Sequence, residues 1–487
     1  MSLRAALVLV AGAVLACWLP SLDASFQFDD LNVIVADARV QSLGAWAHSM
    51  PAIRPLLRLS YALNHALGDG PAGFRIVNVL AHAGSACLVL LLLESLGLRC
   101  GLEPARARTA ALLAALLFAL HPVQTEAVTY VSGRSSSLSG LFALGSLFAW
   151  SRSFEGTRQP MRRALAFALG LAALAVKETV VVLPLAMLLW ALVPGAGLAT
   201  LRRRQLHGAL AFAALLIVAG LLLLALTPYA DIARASLARR DFVQNLPAVA
   251  QALSWLLGQV LMPWQLAVDP QLRPGSLTGA ATVVAIAAVV VALAGAVLAA
   301  RRRPAPAFAV LWFAVWLLPL ELLFPREDLA NDRQLYLALI GPAWLVAWWI
   351  VAHARAGRAP TVRSAAPLAA ALVVALGALT MLRNRVYATE VGYWEAAALA
   401  SPGKARVLDN LGYVYAKACR DADARQAFNR AALSDAQDIR SRANLKLLDL
   451  GGHLPGTEHC VENAGPRSGP DPDGLRAEPP LPAMPPG

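Results

Sequence analysis

The chain has 487 residues, 58% of them hydrophobic and 15% charged, with a mean hydropathy of +0.57; this excludes an ordinary soluble globular protein and points to lipid as the solvent. Its formal net charge of +12 lies largely in short Arg clusters between apolar segments, the pattern of membrane topology signals and not of a nucleic-acid surface. Five scattered cysteines (Cys17, Cys87, Cys100, Cys419, Cys460), with no CxxC, argue neither for a disulfide framework nor for a metal site.

A helix needs about 20 apolar residues to cross a bilayer core of roughly 30 Å. In chain order, candidate spans fall at 5–20, 76–98, 109–122, 136–151, 164–176, 179–195, 208–226, 277–300, 306–324, 335–352 and 365–382. Arg4 precedes the first, and every even-numbered exit is basic: Arg99, Arg106 and Arg108, then Arg152 to Arg163, Arg202 to Arg204, Arg301 to Arg303, and Arg355 to Arg363. That parity predicts a cytoplasmic N-terminus, eleven crossings and an external C-terminal part. The stretch 251–268, "QALSWLLGQVLMPWQLAV", would break the parity and reads as an interfacial or re-entrant helix, with Trp255 and Trp264 suited to an interface. The opening "MSLR" plus its apolar run also fits a cleaved signal peptide, which leaves the next loop external all the same.

That loop, "FQFDDLNVIV" at 26–35, holds Asp29 and Asp30, which taken alone read as a solvated pair or a helix cap. Arg54 and Arg58 follow on "IRPLLRLSYALNHAL", an amphipathic stretch suited to an interface. Asn78 and His82, four residues apart on the second span, read as interhelical hydrogen-bonding groups. "LHPVQTEAVTYVSGRSSSLSG" carries His121, Glu126 and Arg134, with a structural Glu126–Arg134 pair as the plain alternative. Lys177 and Glu178 sit at a turn after residues 164–176, which span only about 20 Å at 1.5 Å per residue. Short helices with polar outer ends imply a polar cavity dipping into the outer leaflet. Asp332 and Arg333 complete an external polar set drawn from five loops. An acidic pair and several cations around such a cavity suit transfer of a group from an anionic lipid carrier. A carboxylate takes the proton of an acceptor hydroxyl, while Arg and Lys hold the phosphate and its growing charge.

Composition changes after Leu382. Residues 1–382 form the membrane domain, 383–404 a connector, and 405–452 tetratricopeptide-like helical repeats, one full and one partial. Leu411, Gly412, Tyr415, Ala424, Phe428 and Ala431 take the small and aromatic positions of the 34-residue pattern, and Leu445 stands 34 after Leu411. So short an array needs a neighbour to cover its apolar face, either the membrane body or another protein. Residues 453–487, rich in Pro and Gly, read as a disordered tail.

Several stretches carry a family likeness in their order: "FQFDDLNVIV", "RPLLRLSYALNHAL", "GFRIVNVLAHA", "FALHPVQTEAVTYVSGRSSSLSG", "AVKETVVVLPL", "NDRQLYLALIG" and "SPGKARVLDNLGYVYAKA". Over roughly 5–450 the chain resembles the lipid-linked-sugar glycosyltransferases of the GT-C class, in particular the TMTC-type (transmembrane and tetratricopeptide-repeat) O-mannosyltransferases and their bacterial relatives. Arg75 stands where the likeness calls for His before "VN". The resemblance implies an all-α, polytopic protein of about eleven transmembrane helices with a short tetratricopeptide-type region. It also implies a polyprenyl-phosphate sugar donor, mannose among the candidates, a protein or other hydroxyl acceptor, and inversion at the anomeric carbon. Asp29 becomes the base, with Asp30 a second carboxylate. Arg54, Glu126, Arg134, Lys177, Glu178, Arg333 and Tyr336 become substrate-binding residues, the last two as an "R-x-x-Y" with Arg toward the donor phosphate. The sequence identifies no cofactor; a divalent cation, if one takes part, would use Asp29 and Asp30. A bacterial inner membrane is the expected location, with the repeats periplasmic and open to a protein partner. The competing readings are a non-catalytic scaffold that recruits partners through the repeats, and a transporter, which would place its charges nearer the midplane and show repeat halves.

Overall fold

In lipid a backbone can satisfy its polar groups only within its own segment, and the long apolar runs accordingly fold as helices. The computed structural model describes residues 1–154, 157–193, 199–353, 362–435, 437–457 and 459–460; no strand occurs among them. Two units form, Met1–Pro402 and a second beginning at Gly403.

Each of the eleven predicted segments falls on a helix. Among the described residues, six helices are long and apolar enough to cross a membrane: Leu3–Ser21, Pro71–Arg99, Arg202–Leu226, Ala280–Ala299, Pro304–Leu323 and Ala366–Val386. Counting two bent pairs as one span each makes eight. One pair, Pro104–Ala119 with Pro122–Val128, breaks by 52° at His121–Pro122, where proline removes a helical donor; the other, Asp332–Ala338 with Ile340–Ala352, bends by 51°. The three segments outside that count are Arg134–Arg152, with an Arg at each end and six serines, Gln159–Val176, with Arg162 and Arg163 in its first turns, and the short run Glu178–Leu192. The stretch read as interfacial lies on Phe242–Leu261 and the loop after it, and that helix is not among the candidate spans.

Helix Pro71–Arg99 is the post of this unit, packing against Leu3–Trp18, Pro104–Ala119 and Arg134–Arg152. Trp18 donates from its indole to the carbonyl of Ala119 at 3.1 Å, tying the first span to the third. Gly341 lets helix Ile340–His353 approach helix Pro304–Leu323, since a Cβ there would lie 2.3 Å from the carbonyl oxygen of Ala309. The loops at one end have an apolar core of their own, in which Ile34, Val40, Leu57, Tyr61, Phe74, Val131 and Val176 are buried together. That core joins the segments around Asp30, Arg54, Arg134 and Lys177.

The second unit contains helices Ala405–Lys417, Asp421–Ser434 and Ile439–Asp449. Leu411, Tyr415, Ala424, Phe428 and Ala431 are buried, and a Cβ at Gly412 would lie 2.7 Å from the Phe428 ring. Asp409 accepts from Ser441 at 3.0 Å and Asn444 at 3.2 Å, tying the third helix to the first. Gly412→Val is expected to destabilise this unit by about 1–3 kcal/mol through overpacking, read as faster proteolysis of the full-length chain within 403–460.

Two expectations are corrected here. Cys419 and Cys460, 41 residues apart, are disulfide-bonded with Cα atoms 5.4 Å apart, although scattered cysteines gave no reason to expect a pair. The folding back of the chain, and not its sequence spacing, brings them together. Residues 453–457, expected to open the disordered tail, instead pack: Leu454 and Thr457 are buried, and Tyr413 donates to the carbonyl of Pro455 at 2.8 Å. The rest of that tail, 461–487, lies outside the described residues, as do Arg355 and Arg358 of the last basic loop.

Candidate functional site

The polar end of helix Pro71–Arg99 anchors the loops that carry Asp30 and Tyr130. Arg75 is buried and donates to the carbonyls of Thr129 (2.9 Å), Ala24 and Ser25. Asn78 gives its amide to the carbonyl of Val128 at 3.1 Å, with those of Tyr130 and Val131 at 3.3 Å, and accepts from Arg134 Nε at 2.9 Å. His82 lies 3.0 Å from both the Ala119 carbonyl and the Tyr336 hydroxyl. Asn78 and His82 thus bond between elements, as their spacing suggested.

On this anchor the two aspartates separate. Asp30 is fully buried: Oδ2 accepts from the Gln27 amide at 3.0 Å, and Oδ1 accepts from the Ser132 amide at 2.7 Å and its hydroxyl at 2.5 Å. Burial pushes its carboxyl up to about 6, against the hydrogen bonds of Ser132 and Gln27 and the nearby charge of Arg75. Asp29 is half-exposed; its amide donates to the Tyr130 hydroxyl at 3.1 Å, and its carboxylate accepts no hydrogen bond from any described residue. Phe28, before it, has a left-handed φ of 41°, and the chain after Asp30 forms a π-turn in which Ala36 donates five residues back to Leu31 at 2.8 Å. Left-handed backbone at non-glycine residues and π-turns are both enriched at functional sites.

Arg333 lies across Tyr130, its guanidinium carbon 5.5 Å from the ring centroid. Glu126 holds it twice, by Oε1 to Nε at 3.0 Å and by Oε2 to the Arg333 amide at 3.1 Å. The partner of Glu126 is therefore Arg333 and not Arg134, correcting the structural pair considered above. Arg134 is also unlike the substrate ligand expected of it. It is fully buried, bonds Asn78, the Ser60 carbonyl (3.0 Å) and the Phe74 carbonyl (2.7 Å), and lies over Tyr61 at 4.7 Å. Every one of these contacts is structural.

A third cluster joins Arg54 to Glu178. Arg54, left-handed at φ 52° before Pro55, forks onto Glu178 at 2.9 and 2.5 Å, and its amide donates to the Tyr229 hydroxyl at 3.2 Å. Burial works against the charge on Glu178, but the Arg54 fork outweighs it and holds the carboxyl down to about 2. Lys177, adjacent, turns to Ser136 and donates to its hydroxyl at 2.7 Å. Burial first, then the cations Arg54, Arg333 and Arg326, bring its amine down to about 7.

Beside these groups is a cavity of about 720 Å³. Leu174, Val181, Leu223, Leu224, Ile232 and Phe324 form an apolar wall; Glu178, Glu321, Arg239, Arg326 and Arg333 give it a charged rim. Arg326 meets Glu321 at 3.1 Å. A smaller chamber opens from the same rim, lined by Ser136, Ser139, Lys177, Arg326, Arg333 and Tyr336. Of the predicted set, Lys177, Glu178, Arg333 and Tyr336 line one or both spaces. Asp29, Asp30, Arg54, Glu126 and Arg134 do not. Asp29 connects to the cavity through Tyr130 and Arg333. The oxygens of Asp30 face N–H and O–H donors, so the two aspartates do not present a paired cation site.

Sequence reasoning missed Tyr130, Arg326 and Glu321. Glu321 carried a signal: an acidic residue near the end of a long apolar helix is a functional candidate by default. Tyr130 carried none, being one more aromatic in a loop.

No family model matches the chain, and no solved structure matches it. Curated sequences do. The chain is 37% identical over 174 residues to Protein O-mannosyl-transferase TMTC4 of Homo sapiens, covering 30% of this chain and 23% of that protein. It is 36% identical over 200 residues to Protein O-mannosyl-transferase TMTC1 of Mus musculus, covering 36% of this chain and 20% of that protein. The chain resembles the TMTC O-mannosyl-transferases. A third relative, Protein O-mannosyl-transferase TMTC3 of Homo sapiens, is 29% identical over 167 residues, 30% of this chain and 17% of that protein. The matched stretch thus spans less than a quarter of the length of each of these TMTC relatives. The apolar helices and the TMTC likeness together make the chain a multi-pass integral membrane protein.

Proposed function

We propose that the chain is a membrane glycosyltransferase, moving a sugar from a polyprenyl-phosphate carrier to a hydroxyl of an external protein acceptor. The TMTC names favour mannose. The observation that carries the reading is the link Asp29–Tyr130–Arg333. It sets Asp29, whose amide bonds Tyr130 and whose half-exposed carboxylate accepts no hydrogen bond from any described residue, one residue away from a guanidinium that lines a cavity with an apolar wall. The wall suits a lipid chain, the rim its phosphate, and Asp29 the acceptor.

In this reading the acceptor hydroxyl gives its proton to Asp29 as its oxygen attacks the anomeric carbon. The bond from that carbon to the phosphate oxygen breaks on the opposite side, so the centre inverts. Negative charge grows on the departing phosphate, where Arg333, Arg326 and Lys177 stabilise it. Eleven crossings with a cytoplasmic N-terminus would set these loops outside, as in a bacterial inner membrane, with the helices after residue 403 acting as a tetratricopeptide-type unit that recruits the acceptor.

Purified protein in lipid nanodiscs, given radiolabelled polyprenyl-phosphate mannose and a Ser/Thr-rich peptide, is expected to label the peptide and release free polyprenyl phosphate. A donor pool that stays intact would remove the transferase reading and leave the scaffold.

A further inference from the structure

The small chamber beside the cavity has an unusual charge arrangement. Lys177 has three possible donors and gives one, to Ser136 at 2.7 Å. Among the described residues no carboxylate bonds it, because each nearby one is committed elsewhere. Glu178 is held by Arg54, Glu126 by Arg333, and Glu321 by Arg326 together with Gln334 at 2.8 Å. The largest charge effects on Lys177 come from Arg54, Arg333 and Arg326, opposed by a smaller one from Glu178. Glu321 lines the same chamber, with its charge shared by Arg326. The amine is therefore enclosed by cations and short of acceptors.

We infer that the chamber formed by Ser136, Ser139, Lys177, Arg326 and Arg333 is a phosphate seat whose filling draws a proton onto Lys177. The inference rests on the transferase reading for the lipid that delivers the phosphate. Chamber and cavity share Arg326, Arg333, Glu321, Thr179 and Leu320, so a head group can sit in one while its chain lies along the apolar wall of the other. An anion supplies the acceptors the amine lacks and offsets the surrounding guanidinium charge; both effects favour the ammonium form. Burial and the neighbouring guanidinium groups hold the amine near about 7, so above neutral pH it is mostly uncharged until an anion binds. Binding then takes up a proton, and by linkage the affinity rises as pH falls through this range. Ser136 and Ser139 can turn their hydroxyls toward phosphate oxygens once the amine is charged.

The test is calorimetric. Full-length protein in detergent is titrated with farnesyl monophosphate at about pH 8.5, well above the second phosphate pKa near 6, in two buffers of different ionisation enthalpy. Wild type is expected to take up close to one proton per bound ligand. Lys177→Arg should bind with no uptake, and Lys177→Met should bind at least about tenfold more weakly, also with none. Equal uptake in Lys177→Arg, or unchanged affinity in Lys177→Met at an unaltered Tm, would overturn the seat, as would a wild type that does not bind the probe. In a parallel titration inorganic phosphate should bind at least about a hundredfold more weakly, for want of the apolar wall. Equal affinity would assign the seat to free phosphate and not to a lipid. Proton uptake by a protein that never transfers sugar would leave the seat standing and remove the transferase reading. Sugar transfer without Lys177-dependent uptake would remove the seat alone.

Discussion

Asp29→Asn is expected to lower sugar transfer by about 10²–10⁴-fold with no change in Tm, and Asp30→Asn to lower Tm before it touches chemistry. The two residues are neighbours in sequence, yet only Asp29 has a carboxylate without a hydrogen-bond donor among the described residues. An amide at Asp29 keeps the shape and loses the proton acceptor. At Asp30 an amide must turn an NH₂ toward Gln27 or Ser132, both of which donate, at a cost of about 1–3 kcal/mol. The pH dependence separates them further. Burial raises the Asp30 carboxyl to about 6, above the value of about 3.9 for a free aspartate. The folded state therefore binds this proton more tightly than the unfolded chain, so its contribution to stability is present below about pH 4 and lost as pH rises through about 6. Tm across that window should fall with pH in wild type more than in Asp30→Asn. Parallel Tm curves would contradict the assignment of Asp30, and full turnover in Asp29→Asn would remove the base.

Arg333→Ala should be the most damaging single change at the cavity. It removes the guanidinium proposed to face the phosphate, worth about 10²–10³ in kcat/KM if the charge acts in the transition state. It also strips buried Glu126 of its ion partner, and breaking a buried pair from one side costs about 3–5 kcal/mol. The double variant Glu126→Gln/Arg333→Ala separates these losses. With both charges gone, Tm should recover in part while transfer stays low. Recovery of transfer in the double variant would mean that Arg333 only supports the fold.

The helices were legible because hydropathy reports on each segment by itself; the long spans and the family likeness both follow from strings of residues near one another. Partners were not. Glu126 finds Arg333 207 residues away, and nothing near either residue favours that pairing over Arg134, only eight positions off. Arg134 read as a charge in an external loop, but besides Asn78 it bonds the backbone carbonyls of residues 60 and 74, which have no sequence signature. The family likeness put Asp29 ahead of Asp30 as base, but the residues themselves gave no ground for it, because what separates them is one turn of backbone and the position of Ser132. Glu321 could have been found: the rule that singled out Lys177 and Glu178 applies to it equally.

The bond between Cys419 and Cys460 bears on the cell as well as on the fold. Thiols stay reduced in most cytosols, and disulfides persist in oxidising compartments. The C-terminal unit thus carries a chemical record of the side of the membrane on which it matured. Alkylating the protein in intact cells, with and without prior reduction, reads that record directly. The three unpaired cysteines, Cys17, Cys87 and Cys100, serve as the internal reference. The orientation of the whole chain can then be assayed without a fusion tag, from two sulfur atoms 41 residues apart.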